Sequence, residues 1–483
     1  MKLLAVQRVL GLLLVLFSAT MLPPLAVSLG YRDGAALAFL WAFATILAVG
    51  LAAWLPVARH RRELRLRDGF LVVALFWTVL GLGGSLPLVF STDPSLSVSD
   101  AVFESMSGLT TTGATVITGL DGLPPSILYY RQQLQWLGGM GIVVLAVAVL
   151  PMLGVGGMQL YRAEIPGPMK DTKLTPRITE TAKALWYIYL GLTVACGLGY
   201  WLAGMTPFDA VGHAFSTVAI GGFSTHDASL GHFDSPAIEA VAILFMLISG
   251  ANFALHFLAW RRRSPLLYWQ DEEFRFYLAL MTAGILLVTA SLALSGTYST
   301  WGEWLGKGVF QTVSIGTTAG FTTAEYYAWP PFPAILLLLM SFVGGCAAST
   351  GGGIKVIRFL LLIKQGIREV ERLIHPNAQI PVRMGSRSVN HRVVDAVWGF
   401  FSLYVASFVM MYLALTATGL DLITAFSAVA ACINNLGPGL ADVGPHYQAL
   451  PDAAKWILCL AMLLGRLEIF TLLVLFSPSF WRN

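Results

Sequence analysis

The sequence predicts an all-α polytopic membrane protein built from four pseudo-symmetric repeats around a central axis, with two further helices at its amino terminus. Three observations predict this fold class. The 483-residue chain is 56% hydrophobic and only 12% charged, whereas about a quarter of the residues of a soluble chain are charged. Apolar runs of roughly 20 residues, long enough to cross a bilayer as a helix, recur along the whole chain. Between them, one short glycine-containing pattern occurs four times.

The apolar runs predict ten membrane spans, at about 8–29, 35–57, 69–90, 131–153, 185–203, 237–260, 275–295, 333–363, 394–418 and 454–476. The first run is long for a signal-peptide core, and another span follows it almost at once, so we expect an uncleaved helix. An even number of spans places both termini on the same side of the membrane.

The distribution of basic residues predicts which side that is. Lysine and arginine cluster in alternate links, after the second, sixth and eighth spans (59–67, 261–263 and 364–392). By the positive-inside rule these links are cytoplasmic, and both termini are then cytoplasmic too. The opposite face carries more acid than base, and an acidic outer surface raises the local concentration of cations. Ordinary solvation of external loops would explain the same charge.

The repeated pattern spans 100–116, 209–225, 307–323 and 424–440. Each copy is a helix-like run followed by a stretch without helical character, and a glycine stands thirteen residues after its first residue, at Gly113, Gly222, Gly320 and Gly437. All four copies fall on the predicted outer side, each between two spans. Non-helical backbone at membrane depth persists only where it is buried in protein or lines a water-filled path. Each repeat is therefore predicted to contain an outer helix, a pore helix, a filter loop and an inner helix.

These loops predict a cation-selective pore. Such a pore must replace the water shell of a small ion with oxygen ligands, and rings of backbone carbonyls do this without a fixed charge that would trap the ion. Glycine permits the required backbone turns and keeps side chains away from the axis. The predicted filter comprises Thr111, Thr112, Gly113, Ile220, Gly221, Gly222, Thr318, Ala319, Gly320, Asn435, Leu436 and Gly437. A tight turn explains any one loop equally well, but not four loops at one offset between spans.

The pattern divides the chain into two N-terminal transmembrane helices (1–68) and four pore repeats, at 69–184, 185–274, 275–393 and 394–483. The third repeat departs from the others because its inner span is interrupted at 342–355 by five glycines among small and polar residues. Such a break leaves backbone N–H and C=O groups without their helical partners. Either a water-filled cavity or close helix packing must satisfy them, and the sequence is compatible with both.

The fourth repeat carries a charged residue, Arg466, in the middle of its inner span. A charge at membrane depth is costly and usually faces the protein interior or water. We therefore expect Arg466 to face the pore cavity, with snorkelling to the cytoplasmic face as the alternative. Glu468, two residues on, points to another side of the helix and needs a different partner.

The loop sequences TTTGAT, AIGGFST, TTAGFTT and NNLGPGL, each in its own repeat and in this order, resemble those of the TrkH branch of the Trk/Ktr/HKT superfamily of potassium transporters. The resemblance covers essentially the whole chain, including the two extra N-terminal helices. It implies a gated potassium-conducting subunit of a bacterial K⁺ uptake system in the cell inner (plasma) membrane, with K⁺, and Rb⁺ with it, permeating passively past the backbone carbonyls of the four loops. It also implies a gating loop that matches Gly345, Ala347, Ala348, Ser349, Thr350, Gly351, Gly352 and Gly353, with Arg466 beside it in the pore.

The resemblance further implies a homodimer that works with a cytosolic, NAD- and ATP-binding regulatory ring of Rossmann type, similar to TrkA. Basic segments at 59–67, 162–183, 261–263 and 364–392 are candidate docking surfaces, although anionic headgroups of the lipid bilayer would attract them equally well. The chain has no G-x-G-x-x-G fingerprint and no Walker-type phosphate loop. We therefore expect K⁺ as the transported ion and no nucleotide bound by this chain itself, and we expect no nucleic-acid partner.

A secondary active symporter that couples K⁺ uptake to H⁺ or Na⁺ is the alternative function. Coupling usually needs a titratable or ion-chelating site near the membrane midplane, and there the sequence offers only Arg466 and Glu468. The sequence contains neither an H-E-x-x-H nor a G-x-S-x-G motif, so we do not expect an enzyme.

Other single residues carry weaker signals. Glu104 and His213 lie in the pore-helix segments, where we expect structural hydrogen bonds rather than a role in the vestibule. The cysteines lie in apolar surroundings without metal-ligand spacing, and we expect them to be packing residues: Cys196, Cys346, Cys432 and Cys459.

Overall fold

The computed structural model describes residues 3–59, 66–144, 178–385, 387–467 and 469–482. In these residues the regular secondary structure is almost entirely helical, and the strands are one short antiparallel pair, β1 (Arg383–Met384) with β2 (Arg387–Ser388). At the amino terminus, α1 (Leu3–Ser18) and α2 (Leu22–Tyr31) form one continuous span, and α3 (Ala36–Trp54) returns beside it.

Each of the four repeats contributes an outer helix, a short pore helix and an inner helix. The first contains α4 (Leu66–Phe90), α5 (Val98–Leu109) and α6 (Pro125–Val144). The second contains α7 (Ile178–Leu202), α8 (Pro207–Val218), α9 (Pro236–Ser249) and α10 (Phe253–Arg262), followed by the short α11 (Leu266–Gln270). The third contains α12 (Glu272–Ser295), α13 (Trp301–Gly316), α14 (Pro331–Val343) and α15 (Val356–Ile374). The fourth contains α16 (His391–Thr416), α17 (Leu422–Ile433), α18 (Asp452–Arg466), α19 (Ile469–Phe476) and α20 (Pro478–Trp481).

The predicted spans fall on these helices. Within the described residues, six segments are long and apolar enough to cross a membrane unbroken: Leu3–Tyr31, Ala36–Val57, Asp68–Phe90, Ala182–Leu202, Glu272–Ser295 and His391–Thr416. The fourth predicted span corresponds to α6, which begins at Pro125, and its remainder at 145–153 lies outside the described residues. The predicted interruption of the eighth span is confirmed, because α14 ends at Val343 and α15 begins at Val356.

The inner helix of the second repeat differs from the single span predicted at 237–260. α9 and α10 meet at 91°, and the Asn252 side chain caps α10 by accepting a hydrogen bond from the Ala254 N–H at 2.8 Å. The backbone groups freed at the bend are satisfied by the interrupted helix of the third repeat. There the Cys346 N–H donates to the Gly250 carbonyl at 2.8 Å, and the Phe253 N–H donates to the Ala348 carbonyl at 3.2 Å. The prediction was wrong because these partners are distant in sequence.

The described helices have an apolar outer surface, and the buried polar side chains are concentrated in one region of the interior. Long apolar side chains such as Leu202 and Leu294 are more than four-fifths exposed, at 83% and 89%. Buried hydroxyl and amide side chains instead concentrate in the pore helices and the loops that follow them, for example Ser107, Thr112 and Asn435. This distribution is the one expected of a protein surrounded by lipid that keeps a polar path at its centre.

The two N-terminal helical spans pack through glycines at close range. A Cβ placed on Gly11 would lie 2.7 Å from the backbone nitrogen of Trp54, and one placed on Gly50 would lie 2.8 Å from that of Val15. Backbone atoms cannot swing aside as the end of a flexible side chain can. α1 and α3 therefore approach each other as closely as small residues permit, which is how helices commonly associate in lipid.

This packing predicts that Gly11→Ala destabilises the protein. The added methyl group must push α3 away, and overpacking of this kind typically costs about 1–3 kcal/mol. Gly30→Ala is the matched control, because nothing lies within 4 Å of a Cβ at that helical position and alanine favours helix. We expect the apparent melting temperature of the detergent-purified protein to fall for Gly11→Ala and not for Gly30→Ala. Equal melting temperatures for the two variants would contradict the close packing.

Candidate ion-conduction site

All four pore helices begin with the same capping arrangement. The residue before each helix accepts a hydrogen bond, through its side-chain oxygen, from a backbone N–H in the first turn, and these residues are Ser97, Thr206, Thr300 and Asp421. In three of the pore helices an acidic residue in the first turn also interacts favourably with the positive end of the helix dipole. Each pore helix then ends four residues before its repeat glycine.

The loop after each pore helix follows one backbone course. The residue two positions before the glycine adopts a left-handed conformation, with φ of 54° at Thr111, 53° at Ile220, 69° at Thr318 and 51° at Asn435. Non-glycine residues rarely do so. The next residue donates its N–H to the carbonyl five residues earlier at 2.7–2.8 Å in all four repeats. The glycines themselves have φ of 81°, 80°, 80° and 98°, so the fourfold sequence pattern is also a fourfold backbone pattern.

The four glycines form a closed ring, which we call the glycine ring (Gly113, Gly222, Gly320 and Gly437). A Cβ on Gly113 would collide with the backbone oxygen of Gly221, one on Gly222 with that of Ala319, and one on Gly320 with that of Leu436. The ring closes because a Cβ on Gly437 would lie 2.7 Å from the oxygen of Thr112. Each glycine thus meets the carbonyl oxygen of the residue before the glycine in the next repeat. The twelve residues predicted from sequence are brought together at one place.

The surroundings of the ring favour a cation. The carboxyl-terminal ends of the four pore helices lead directly into the loops, and helix ends of this polarity carry partial negative charge. On the other side of the loops, a cavity of about 380 Å³ opens above the ring. Its lining includes all four ring glycines and parts of the segments that follow them. The ring is therefore the floor of a vestibule.

Polar side chains of the pore helices form hydrogen bonds with the segment that follows each glycine in the sequence. The Val116 N–H donates to Glu104 at 2.9 Å, the Thr323 N–H to Gln311 at 3.2 Å, and the Leu440 N–H to Ser427 at 3.0 Å. In the second repeat His213 Nε2 lies 2.8 Å from Ser224 Oγ. The structural roles expected for Glu104 and His213 are confirmed by these contacts.

The inner helix of the first repeat also holds the loop of the second. Gln135 donates to the Gly221 carbonyl at 2.5 Å and accepts from the Phe223 N–H at 3.0 Å. Arg131 donates to the Ser224 carbonyl at 3.1 Å, and its guanidinium carbon lies 4.2 Å from the centre of the Phe223 ring. Sequence reasoning missed these residues, although the polar run RQQLQ at 131–135, at the start of an apolar span, is a signal that could have found them.

Arg131 and Glu104 form a buried ion pair behind the vestibule. The Arg131 Nε to Glu104 Oε1 distance is 2.7 Å, and the two side chains are 1% and 0% exposed. Thr115 donates its hydroxyl to Glu104 and accepts from Arg131 at 3.1 Å. Because Glu104 belongs to the first repeat's pore helix and Arg131 reaches the second repeat's loop, the pair ties two neighbouring loops together.

On the opposite side from the vestibule, the loop between α14 and α15, which we call the inner-helix loop (344–355), packs against the ends of the pore helices and the starts of the filter loops. The Gly352 N–H donates to Thr318 Oγ1 at 2.6 Å, and the Gly353 N–H donates to the Asn434 carbonyl at 3.0 Å. Thr350 donates its hydroxyl to the Val218 carbonyl at 2.9 Å. The loop thus contacts three repeats at the ends of their pore helices. Of the two interpretations of the glycine run, close packing against neighbouring backbone describes this geometry.

Arg466 lies beside the inner-helix loop. Its side chain is 5% exposed, and its Nη1 donates to the Thr350 carbonyl at 3.1 Å. Its Nε and Nη2 are buried without a hydrogen-bond partner in the described residues. The alternative that Arg466 snorkels to the surface is therefore wrong. Glu468, for which a separate partner was expected, lies outside the described residues.

A second charged residue that the sequence reasoning missed supports the inner-helix loop. Glu273, in the first turn of α12, is 3% exposed and accepts a hydrogen bond from the Ala347 N–H at 2.6 Å. Lys355, at the end of the loop, donates to the Gly351 carbonyl. These contacts connect the loop to the outer helix of its own repeat and hold its two ends.

The buried ion pair predicts that Glu104→Gln destabilises the protein. The substitution leaves the Arg131 guanidinium buried without a counter-charge, and breaking such a pair typically costs about 3–5 kcal/mol. Asp442→Asn is the control, since Asp442 is exposed in the loop after the fourth filter segment and substitutions at exposed positions usually change stability little. We expect the apparent melting temperature in detergent to fall for Glu104→Gln and to stay unchanged for Asp442→Asn. A Glu104→Gln protein as stable as the parent would show that the pair does not hold the two loops.

Comparison with known proteins agrees with this geometry. A family model described as a cation transport protein, TrkH, matches residues 36–483. The chain is 59% identical over 481 residues to the Trk system potassium uptake protein TrkH of Vibrio parahaemolyticus, covering 99% of both chains. It is 56% identical over 479 residues to the protein of that name from Escherichia coli K12, again covering 99% of both. It is 44% identical over 481 residues to the E. coli Trk system potassium uptake protein TrkG, covering 99% of this chain and 98% of that protein.

A solved structure gives the same result. The crystal structure of the potassium transporter TrkH from Vibrio parahaemolyticus matches with a TM-score of 0.93 at 56% identity and covers 100% of each chain. The predicted all-α polytopic fold is confirmed, and so is the prediction of a transport protein rather than an enzyme. The chain belongs to the TrkH family of cation transport proteins.

Proposed function

We propose that this chain is the gated, K⁺-conducting membrane subunit of a bacterial K⁺ uptake system and that K⁺ and Rb⁺ pass through it passively. The closed glycine ring carries this proposal, because it brings backbone carbonyl oxygens of all four repeats to one place. The relatives of the chain are named potassium uptake proteins, which supports K⁺ as the ion.

In this proposal the filter consists of the residue triplets 111–113, 220–222, 318–320 and 435–437. Their backbone carbonyls replace the water shell of K⁺, and the pore-helix ends stabilise the dehydrated ion. The neighbours of the glycines differ among repeats, and the Gly221 carbonyl already accepts a hydrogen bond from Gln135. The ion site is therefore only pseudo-fourfold.

We propose that residues 345 and 347–353 of the inner-helix loop, together with Arg466, form the gate. The loop lies against the ring, where it would obstruct an ion leaving the filter. The Arg466 guanidinium places a positive charge at the same point, and a buried positive charge repels a cation strongly because the local dielectric constant is low. Opening then requires the loop to release Thr318, Asn434 and Arg466.

Passive conduction is favoured over coupling to H⁺ or Na⁺. Residues 110–114, 219–223, 317–321, 434–438 and 344–354 contain no Asp, Glu or His. Arg466 cannot act as a proton carrier, since an arginine side chain keeps its proton at physiological pH. The segments proposed to line the path thus lack the titratable site that a coupled transporter usually needs.

Rb⁺ flux into vesicles that contain the purified chain tests the function. The two sides have equal pH and no Na⁺, and K⁺, Na⁺ and Li⁺ are added as competitors. We expect Rb⁺ to move down its own gradient, and K⁺ to compete more strongly than Na⁺ or Li⁺. Flux that appears only with a proton or Na⁺ gradient would overturn passive conduction in favour of the symporter.

The membrane orientation, the repeat boundaries and the partners complete the proposal. We propose that both termini lie in the cytoplasm of the bacterial inner membrane, that the repeats divide at residues 68, 184, 274 and 393, and that the protein works as a homodimer with a TrkA-like nucleotide-binding ring. The exposed Arg261, Arg262 and Arg263 and the segment 364–392 are candidate contacts with that ring or with anionic lipid. The other two candidate segments, 59–67 and 162–183, lie mostly outside the described residues.

The ring geometry predicts that Gly320→Ser weakens the preference for K⁺ over Na⁺. The serine Cβ would strike the Leu436 carbonyl oxygen, and φ of 80° strains any L-residue. We expect the K⁺/Na⁺ selectivity to fall by about tenfold, equivalent to roughly 1.4 kcal/mol of differential binding. Gly306→Ser, in the pore helix of the same repeat, is the control because its Cβ meets nothing within 4 Å. Unchanged selectivity in Gly320→Ser would remove Gly320 from the filter.

The gate assignment predicts that deletion of residues 347–352 raises the basal flux of Rb⁺. The deletion removes the hydrogen bonds to Val218, Thr318 and Arg466 that hold the loop against the ring. Initial Rb⁺ uptake by the deletion variant and by the parent protein is compared at equal amounts of reconstituted protein. A deletion variant that is monodisperse in detergent yet conducts no faster than the parent would count against a gate.

A further inference from the structure

We propose that Asp121, His226 and His232 form a binding site for a borderline-soft divalent cation, Zn²⁺ being the probe, at the rim of the vestibule, and that its occupation reduces cation entry. The effect on flux rests on the proposed conduction function, whereas the binding site does not.

These three residues come from two repeats. Asp121 lies in the short 3₁₀ helix at 120–122, after the first filter loop. His226 follows the second filter loop, and His232 lies in the 3₁₀ helix at 229–233. One possible ligand atom from each residue lies within 4.8 Å of the other two. The filter loops therefore bring together a carboxylate and two imidazoles, a donor set that suits Zn²⁺ and similar transition metals.

The distances suit a shared ion with small side-chain adjustments. Asp121 Oδ1 lies 2.5 Å from His226 Nδ1 and 4.0 Å from His232 Nδ1. Tetrahedral Zn²⁺ with bonds of about 2.0–2.1 Å separates its ligand atoms by roughly 3.3 Å. One distance must widen and the other must shorten, each by well under an ångström. Asp121 and His232 are half exposed, at 51% and 45% of their side-chain surface, so both can move.

The two imidazole rings already lie side by side without an ion. The rings of His226 and His232 stack with centroids 3.5 Å apart and planes within 2°. The edge of Phe233 contacts both of them, each at 5.3 Å between centroids. Stacking two imidazoles in one orientation brings corresponding nitrogens close together. An ion bound by both nitrogens must lie close to the plane of each ring, so the two stacked rings tilt apart when they bind it, which the exposure of His232 permits.

A carboxylate also lies behind His226, just beyond hydrogen-bond distance. His226 Nε2 lies 3.7 Å from Asp209 Oδ1 and has no hydrogen-bond partner in the described residues. Histidines that bind metals usually present their other ring nitrogen to such a carboxylate, which fixes the tautomer and strengthens the ligand.

The position of the site links its occupation to conduction. His226 and its neighbour Asp227 line the vestibule above the glycine ring. A bound divalent ion would neutralise local negative charge and add positive charge at the vestibule wall. Cations approaching the ring would then be repelled. We therefore expect Zn²⁺ to inhibit the flux at the entrance and to leave the filter itself unchanged.

Binding is tested first, on the full chain in detergent, by titration calorimetry with Zn²⁺ alone. We expect one Zn²⁺ per chain, with an affinity that His232→Ala and His232→Gln each weaken by at least about tenfold. His446→Ala is the matched control, since His446 lies in the loop after the fourth filter segment but outside the cluster. Mg²⁺ should not displace Zn²⁺, because histidine nitrogen suits Zn²⁺ and Mg²⁺ prefers oxygen ligands. Equal Zn²⁺ affinity in the His232 variants and the parent would overturn the site.

Flux is tested second, in vesicles, with Zn²⁺ or Mg²⁺ present on both sides. We expect Zn²⁺ to reduce Rb⁺ flux in the parent and in His446→Ala, and the half-inhibitory concentration to rise at least about tenfold in the His232 variants. Equal inhibition by Mg²⁺, or Zn²⁺ binding that leaves the flux unchanged, would overturn the inhibitory role. Absence of Rb⁺ flux without Zn²⁺ would instead contradict the proposed conduction, and the calorimetry would still decide whether the site exists.

Discussion

The close approach of each ring glycine to a backbone carbonyl of the next repeat is the constraint on which the rest of the structure depends. A Cβ at Gly113, Gly222 or Gly320 would overlap the neighbouring oxygen, so each of these positions must be glycine. The approach also requires the left-handed backbone that precedes each glycine, and that conformation is unfavourable unless its surroundings fix it. The pore-helix caps, the hydrogen bonds back to the pore helices and the polar clamps behind the loops all supply that support. The proposed ion selectivity results from the convergence of these four filter loops, each held by its surroundings. Each loop alone is an ordinary tight turn.

The four filter loops follow the same backbone course, but different contacts hold each of them in place. The first and second loops are tied together by the Glu104–Arg131 pair and by Gln135, whereas the fourth loop is linked to the first through Asn435, which donates to Thr112 Oγ1 at 2.9 Å. The third repeat contributes the inner-helix loop, which is hydrogen-bonded to the bend between α9 and α10 of the second repeat. The largest departure from fourfold symmetry, the inner-helix loop, therefore lies on the side of the ring opposite the vestibule. The proposed selection of the ion is pseudo-fourfold, whereas the proposed gating depends on elements of single repeats.

Much of this arrangement could be predicted from the sequence, because it depends on local signals. Hydrophobic run length predicts the helices, and a glycine at one offset in four segments predicts the converging loops. The break before Val356 is visible in the glycine run, and the depth of Arg466 follows from its place in an apolar span. The missed features all depend on residues distant in the chain. The bend at 250–252 is stabilised by Cys346 and Ala348, and Arg131 is buried against Glu104, which lies 27 residues away in the chain. The proximity of Asp121 to His226 and His232 results from the meeting of two filter loops, which no local pattern specifies.

The central claim, that backbone carbonyls around the glycine ring bind the conducted ion, is tested most directly by crystals of the protein grown in Rb⁺, with anomalous diffraction collected at the Rb⁺ absorption edge. The account predicts an anomalous peak on the central axis, enclosed by the carbonyl oxygens of residues 112, 221, 319 and 436, that disappears when Rb⁺ is replaced by Na⁺. An axis without a Rb⁺ peak at the ring, or a peak bound instead by side chains elsewhere in the vestibule, would contradict it.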